Sequence, residues 1–335
     1  MKKLFILFIT LVLCLFTAVA CSASAVSTSS TAPSQTTPAP SGWTYQENPG
    51  YPYVSFEAIW GASPSDVFAV GDNGNIIHYD GNVWSTMNTG TIINLTGVWG
   101  SSPSDVFAVG LSGTILHYNG KTWGTMVSAV PNVSFNKVWG TSSSDVFAVV
   151  GGGSIQHYDG KNWSVMTINL PSNIFVNLVN IWGTSSSDVF AVGVGGVILH
   201  YDGSTWSIMD SGTANELLGI WGTSSSDVYA VGTGGLVLHY DGNDWSSMTS
   251  GTTSELISIG GSSASDVFAV GAVAGPLGYA SILHYNGSTW SDMTGDINNM
   301  NGEINYYLLN GVWGSSPSDV FAVGRWGAVL HYPGY

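Results

Sequence analysis

Residues 99–126 read WGSSPSDVFAVGLSGTILHYNGKTWGTM, and variants of this segment recur seven times along the chain. The tryptophan that opens the segment is replaced in one copy, the sixth, where Gly260 stands instead. A repeat period near 40 residues, made of short apolar runs and turns, is typical of a β-propeller with one blade per repeat. We therefore predict an all-β fold with seven blades.

Each repeat divides into four strands. In the second repeat the first strand ends at Trp99, and residues 106–110 form a short β-branched and aromatic run typical of a second strand. Residues 114–118 give the third strand. An Asn-Gly or Asp-Gly step, such as Asn119-Gly120, predicts a tight hairpin turn into a fourth strand around Trp123. The blades are therefore expected to be four-stranded and antiparallel.

The two ends of the repeat region complement each other. The seventh repeat stops at Tyr335, soon after its third strand, so its own fourth strand is missing. The segment Trp43-Thr44-Tyr45 resembles a fourth strand but has no first three strands before it. We predict that this N-terminal strand completes the last blade and closes the ring, which removes open sheet edges.

An aspartate and a histidine recur in every repeat, 12 residues apart in six copies and 18 apart in the sixth. If the second and third strands pair across a tight turn, both side chains share one sheet face. A buried aspartate there would accept hydrogen bonds from the imidazole and from turn amides. Catalysis needs one unique constellation, so we predict a structural role for these repeated pairs: Asp66 and His78, Asp105 and His117, Asp145 and His157, Asp188 and His200, Asp227 and His239, Asp266 and His284, Asp319 and His331.

Residue composition argues against most enzyme classes. Arg325 is the only arginine, whereas sialidases clamp a carboxylate with several arginines. No Gly-x-Ser-x-Gly elbow on a strand-to-helix turn and no paired-histidine metal spacing are found. The sequence predicts a non-enzymatic protein without a metal site or cofactor, and a glycoside-processing enzyme remains the least favoured alternative.

The first residues have the layout of a secretory signal. Lys2 and Lys3 precede an uncharged apolar run over residues 4–20. The step Ala18-Val19-Ala20-Cys21 resembles a bacterial lipobox, and this resemblance implies cleavage before Cys21 and a lipid on its thiol. The alternative is an ordinary signal peptide that leaves Cys21 as a spare thiol. We predict a signal over 1–20, a lipidated and disordered Ser/Thr/Pro tether over 21–41, and a propeller over 42–335.

Charge limits the partners. Without the signal, the chain has four basic and twenty-one acidic residues, a net charge of −17. Such a protein is repelled by nucleic acid and by anionic headgroups, so we expect membrane contact through the lipid anchor only. The predicted protein is a monomer, anchored at a bacterial membrane and facing the periplasm or the outside.

The repeat resembles a family of bacterial secreted β-propeller repeats in which WGSSPSDVFAVG and ILHYDG units recur in tandem. The resemblance covers residues 43–335 and implies the fold but no single activity. The organisation is also similar to that of WD-repeat proteins, without the Trp-Asp dipeptide. Seven-bladed lipoproteins that assist photosystem II assembly have a similar layout, but that resemblance implies an arginine patch which this chain lacks.

Function is expected where the repeats differ, because loops carry binding. The sixth repeat has a longer loop between its second and third strands, and the connection from Trp290 to Trp313 is longer than its counterparts. Loops of these two kinds should emerge on one face, so the enlarged ones should cluster over blades six and seven. The candidate binding residues there are Tyr279, Asn298, Asn299, Asn301, Glu303, Tyr306, Tyr307, Arg325 and Trp326.

These features predict a binding or scaffold module of the cell envelope that contacts another envelope protein through this face. The alternative is a multivalent lectin that binds a glycan at the repeated turns, since repeated weak sites gain avidity. Gly260 could leave a cavity or be compensated by a neighbour, and the sequence leaves both open.

Overall fold

The computed structural model describes residues 42–49, 53–170, 176–273, 279–297 and 308–334. These residues form seven antiparallel four-stranded sheets, each one blade of a β-propeller. The first strands, which lie innermost, contact one another in a closed ring. The predicted seven-bladed, all-β fold is confirmed.

The first three blades each contain four consecutive strands. Their bounds are β2 (Phe56–Ser63), β3 (Asp66–Gly71), β4 (Ile76–Tyr79) and β5 (Trp84–Met87); β6 (Leu95–Ser102), β7 (Asp105–Gly110), β8 (Ile115–Tyr118) and β9 (Trp123–Thr125); β10 (Phe135–Ser142), β11 (Asp145–Val150), β12 (Ser154–Tyr158) and β13 (Trp163–Val165).

The remaining blades follow the same order, and the last takes its fourth strand from the N-terminus. Their bounds are β14 (Leu178–Ser185), β15 (Asp188–Gly193), β16 (Ile198–Tyr201) and β17 (Trp206–Met209); β18 (Leu217–Ser224), β19 (Asp227–Gly232), β20 (Val237–Tyr240) and β21 (Trp245–Met248); β22 (Glu255–Ser263), β23 (Asp266–Ala272), β24 (Ala280–Tyr285) and β25 (Trp290–Asp292); β26 (Leu309–Ser316), β27 (Asp319–Gly324), β28 (Val329–Tyr332) and β1 (Thr44–Tyr45).

The N-terminal strand closes the ring as its sequence predicts. β1 pairs antiparallel with β28, so that Thr44 lies opposite His331 and Tyr45 opposite Leu330. The indole of Trp43 packs against Tyr332, with ring centroids 5.4 Å apart. Trp84 and Tyr79 of the first blade pair in the same way at 5.3 Å.

Aromatic side chains of neighbouring blades form the core between them. Phe68 in β3 contacts Tyr118 and Trp123 of the next blade. In five blades the tryptophan that opens the repeat lies over a glycine of the following blade. A Cβ added at Gly100 would lie 2.7 Å from the Trp60 ring, so this position accepts only glycine without rearrangement.

Gly260 replaces this tryptophan in blade six, and the adjacent inner strands approach each other there. A Cβ added at Gly260 would lie 3.0 Å from the Val312 carbonyl oxygen in β26. The Ser258 hydroxyl accepts a hydrogen bond from the Val312 amide at 3.3 Å. Gly314, which the missing tryptophan would have covered, is half-buried, whereas Gly61 and Gly100 are buried. The missing ring is thus partly compensated by closer strands.

The turns between third and fourth strands differ in detail from the prediction. In the first blade Asp80 donates its amide to Val83 O, so Gly81 and Asn82, not Asp80 and Gly81, are the two central residues. Gly81 has φ +93°, a conformation that favours glycine. The Asp80 carboxylate instead accepts the amides of Asn82 and Val83, both at 2.9 Å.

One short helix, α1 (Thr294–Ile297), follows β25. The Asp292 carboxylate accepts the Thr294 amide at 2.8 Å, and Ile297 is buried in the core of blades six and seven. Among the residues that the structure describes, no helix has the length and apolar character needed to cross a membrane. The predicted signal, Cys21 and the tether lie outside the described residues.

Candidate functional site

The repeated aspartates and histidines meet in all seven blades. The histidine Nε2 lies 2.6–2.9 Å from the aspartate Oδ1 in each pair. An aromatic ring of the second strand stacks on the imidazole, with centroids 4.2–4.6 Å apart. Each pair therefore joins the second and third strands of its own blade, and the arrangement is the same around the ring.

The second aspartate oxygen finds a different partner from the one expected. In six blades Oδ2 accepts a hydrogen bond from a serine or threonine hydroxyl four residues earlier, rather than from turn amides. The donors are Ser101, Thr141, Thr184, Thr223, Ser262 and Ser315. The aspartates are mostly half-buried rather than buried, because this turn lies at the rim of the blade; Asp266 is the exception.

Blade one lacks this hydroxyl because Ala62 occupies the position. Asp66 keeps only the histidine partner, His78 at 2.8 Å. Its side chain is 24% exposed, more than that of any of the other six aspartates, which are 5–19% exposed. Blade one therefore lacks a hydrogen bond that the other six blades contain.

Loops from the second to the third strand and from the fourth strand to the next blade lie on one face, here called the loop face. In blade one the Asn73 amide donates to Asn94 Oδ1 at 2.9 Å, and the Thr89 hydroxyl donates to Gly74 O at 2.8 Å. In blade two the Gly113 amide donates to Val133 O. These contacts place the two kinds of loop on the same face, as predicted from the sequence.

An exposed group of aromatic residues occupies the loop face where blade seven meets blade one. Trp326 is 53% exposed and Tyr53 is 80% exposed, and their rings meet edge to face at 6.3 Å and 87°. Tyr45 is 42% exposed, and its hydroxyl donates to Gly327 O at 3.4 Å. We call Tyr45, Tyr53, Arg325 and Trp326 the aromatic surface.

Trp326 adopts a backbone conformation that bulky residues rarely take. Its φ is +60°, in the left-handed region, where other blades place Asn73, Ser112, Gly195 or Gly234. A left-handed conformation costs an ordinary residue roughly 1–2 kcal/mol. The Gly327 amide donates to Val54 O at 2.6 Å, which fixes this turn against the N-terminal segment. A strained, exposed tryptophan is the kind of outlier that motivates a functional hypothesis.

The structure describes three of the nine predicted binding residues. Arg325 and Trp326 are exposed side by side, and the Arg325 guanidinium forms no ion pair within 4 Å among the described residues. Tyr279 is half-buried, and its carbonyl accepts the Val273 amide at 2.7 Å. The other six lie outside the described residues, so their predicted place over blades six and seven stays a prediction: Asn298, Asn299, Asn301, Glu303, Tyr306 and Tyr307.

A second unsymmetrical group lies in the central channel. Lys137, the third residue of β10, extends from blade three to the inner strands of the two preceding blades. Its Nζ donates to Thr96 O at 2.8 Å and to Glu57 O at 2.9 Å. Two first strands other than its own supply the acceptors, so the ammonium lies on the channel side of the ring.

The surroundings of Lys137 weaken its charge. The side chain keeps some solvent-accessible surface, but Nζ lies among closely packed protein atoms. This burial lowers the pKa of Lys137 to about 8, and the nearby carboxylate of Glu57 partly opposes the effect. The Glu57 carboxylate accepts the Ser55 hydroxyl at 2.6 Å and forms no ion pair with Nζ within 4 Å.

Sequence reasoning missed Lys137, Glu57 and Tyr53. A signal for the lysine was present, because all the other blades have uncharged residues at its position: Ala58, Gly97, Asn180, Gly219, Ser258 and Gly311. Tyr53 lies before the first repeat and has no counterpart that would mark it. Among the described residues, no group of three or more His, Cys, Asp or Glu side chains has a metal-binding arrangement.

Comparisons with known proteins identify the fold. No protein-family model matches the chain, and no curated protein matches it. Among solved structures, YCF48 bound to D1 peptide is 16% identical with a TM-score of 0.69, covering 87% of this chain and 94% of that chain. Streptogramin B lyase is 12% identical with a TM-score of 0.72, covering 87% and 97%. The WD40 β-propeller domain of Doa1 is 12% identical with a TM-score of 0.65, covering 87% and 96%. Similarity at these identities shows a WD40-like seven-bladed propeller and nothing finer.

Proposed function

We propose that the chain is a non-enzymatic binding module of the cell envelope, anchored through Cys21, that contacts another envelope protein through the loop face. One observation carries this proposal: the exposed, strained Trp326 beside Tyr53 and Arg325. Tryptophan, tyrosine and arginine are the residues that most often dominate the energy of protein interfaces. The chain has a net charge of −15 and a single arginine, and that arginine lies in this group.

The similar solved structures support a protein partner. One of them, YCF48, is described as bound to a peptide, and another is a WD40 domain. A lyase shares the fold at 12% identity, but its activity does not transfer at that distance. The predicted loop of residues 298–307 would extend the binding surface toward blade six. In this proposal the chain is a monomer that its lipid holds at the membrane.

The test is capture of envelope partners by the full-length protein in mild detergent. We expect one partner to be retained by the wild-type protein and lost with Trp326→Gly or Arg325→Ala. Ile208→Ala, which changes an exposed residue on the outer strand of blade four, away from the loop face, is the matched control and should retain the partner. Retention by the Trp326 and Arg325 variants would place binding elsewhere and refute the proposed surface.

A lectin is the second candidate, and one observation favours it. A cleft of about 440 Å³ lies between blades one and two, lined by residues that include His78, Met87, Tyr118, Lys121 and Trp123. Aromatic rings beside polar groups suit a sugar ring. A glycan and cell-wall-polysaccharide array separates the two functions. Binding of one sugar class that is lost with Lys121→Ala and kept with Trp326→Gly would establish the lectin and displace the protein-binding proposal.

A further inference from the structure

Two of the tight turns between third and fourth strands begin with an asparagine. These are Asn119 in blade two and Asn286 in blade six, and a glycine follows each of them. The fold requires the glycine in blade two, because Gly120 has φ +84° and a Cβ added there would lie 2.7 Å from the Ser104 Cβ. Four other blades have an aspartate in place of the asparagine: Asp80, Asp159, Asp202 and Asp241.

The turn holds the side-chain carbonyl of Asn119 against two main-chain amides. Asn119 Oδ1 accepts hydrogen bonds from the amides of Lys121 and Thr122, both at 3.0 Å. In blade six, Asn286 Oδ1 accepts the two equivalent amides, also at 3.0 Å. Two donors directed at one carbonyl oxygen stabilise the negative charge that this oxygen gains when a nucleophile attacks the carbon. The turn therefore activates the side-chain amide toward attack.

The main-chain nitrogen of the following glycine is the nucleophile in each turn. Among the described residues, the Gly120 amide donates no hydrogen bond, and neither does Asn119 Nδ2. The attacking nitrogen and the leaving nitrogen are thus both free of protein partners. Glycine has no side chain that could block the approach of its nitrogen to the preceding side chain. Asn119 is exposed, so water reaches the site.

We propose that Asn119 and Asn286 are modification sites that the turn itself converts to aspartate. The glycine nitrogen attacks Cγ of the asparagine, a C–N bond forms, and Nδ2 leaves as ammonia with the proton of the glycine amide. Water then attacks Cγ of the resulting cyclic imide and breaks the new C–N bond, which restores the main chain and leaves a carboxylate. One asparagine and one water give one aspartate and one ammonia, and no oxidant or reductant is consumed.

The product is the residue that four other blades already have at this position. The Asp80 carboxylate accepts the amides of Asn82 and Val83, both at 2.9 Å, in the same arrangement. A carboxylate is a stronger acceptor for these amides than a carboxamide. Opening of the imide at its other carbonyl gives isoaspartate, which adds an atom to the main chain and displaces the amides. The folded turn therefore favours aspartate.

Asn73 and Gly74 provide an internal control, because Asn73 is also exposed but its side-chain oxygen accepts no main-chain amide among the residues that the structure describes. The full-length protein is incubated in mild detergent at mildly alkaline pH, and peptide mass spectrometry follows the gain of one mass unit at each asparagine. One oxyanion donor contributes roughly 10²–10³ in rate in an enclosed active site, and this turn is open to solvent, so we expect Asn119 and Asn286 to convert about tenfold faster than Asn73. In unfolded protein the three should convert alike. Equal rates in the folded protein would overturn the proposal.

Asp80→Asn tests the turn directly. It places an asparagine before Gly81 with both donors present, so its mass should return to that of wild type at the rate of Asn119. Asp210→Asn is the matched control, because its side-chain oxygen faces one turn amide but Ser211 follows it, and it should keep its mass. Electron-transfer fragmentation distinguishes the two products. A stable Asp80→Asn variant, or isoaspartate as the main product in folded protein, would contradict the proposed role of the turn.

Discussion

Replacing Ala62 with serine should stabilise the protein, because the other six blades show what this position does. Each of them carries a hydroxyl that donates to the aspartate, as Ser315 does to Asp319 at 2.7 Å. Blade one lacks the hydroxyl, and Asp66 is correspondingly the most exposed of the seven aspartates. Ala62→Ser adds the missing donor at a site whose backbone register matches the other blades, with Ser63 opposite Asp66.

The magnitude follows from the hydrogen bond and its exposure. A hydrogen bond adds about 0.5–1.5 kcal/mol to stability, and more when its acceptor is charged. Because Asp66 is 24% exposed, we take about 1 kcal/mol. An added stability of about 1 kcal/mol raises the Tm of a domain of 150–250 residues by roughly 2–4 °C. This propeller is larger, so we expect its Tm to rise by about 2 °C. Calorimetry and chemical unfolding measure the change.

A double-mutant cycle isolates the new bond. Ala62→Ser should have no effect in an Asp66→Ala background, where the acceptor is gone. The converse variant, Ser101→Ala in blade two, removes an existing bond to Asp105 and should destabilise by a similar amount. If Ala62→Ser stabilised both backgrounds equally, or neither, the hydroxyl would not act through the aspartate and our account of the repeated pair would be wrong.

Three further predictions concern strain, pH and acid. Trp326→Gly should abolish partner capture. It should leave the free energy of unfolding unchanged or raise it, because glycine accepts φ +60° without strain, and a drop in Tm would contradict this. Lys137→Met should change how the free energy of unfolding depends on pH. Because the folded-state pKa of Lys137 is lowered, wild type should gain stability relative to Lys137→Met as pH rises from about 8 to 10. A stability difference that does not change with pH would disprove this. Backbone amides lower the pKa values of four hairpin aspartates, so the stability that these carboxylates contribute is lost as pH falls below about 4. A variant with all four changed to asparagine, the residue found at Asn119, should therefore lose its stability difference from wild type between pH 6 and pH 2 in thermal melts. A difference that stays constant over this range would refute the prediction. The four are Asp80, Asp159, Asp202 and Asp241.

Much of the fold could be predicted because each blade repeats the same local pattern. The pairing of β1 with β28 followed from the sequence, since the last repeat lacks a fourth strand and Trp43 begins an unpartnered one. The meeting of Asp66 and His78 followed from their spacing across one turn. The second partner of the aspartate was missed, because the hydroxyl four residues earlier becomes a neighbour only through the turn before β3.

The candidate sites were harder to predict because they depend on how blades meet. Lys137 follows a register shift between β10 and β11, and the same shift recurs at the start of the first strand in every blade. What sets blade three apart is the lysine itself, whose Nζ reaches carbonyls of two other blades. That contact depends on how the blades are arranged around the ring, which the pattern of one repeat does not specify. Tyr53 contacts Trp326 although 273 residues separate them in the chain, because ring closure joins the two termini of the repeat region.

The aromatic surface and the Lys137 amine lie at the same end of the propeller. The first strands begin where the preceding blade's last loop arrives, so Glu57 and Lys137 lie within the first three residues of β2 and β10. At about 3.3 Å per residue, this places the Cα of Lys137 roughly 7 Å along its strand, and its Nζ lies beside the carbonyls of the second residues of β2 and β6. A partner covering the loop face would therefore restrict access to Lys137. Reductive methylation of Lys137, followed by mass spectrometry with the exposed Lys121 as the internal reference, should slow when a captured partner is bound through Trp326, and should stay unchanged if the partner binds another face.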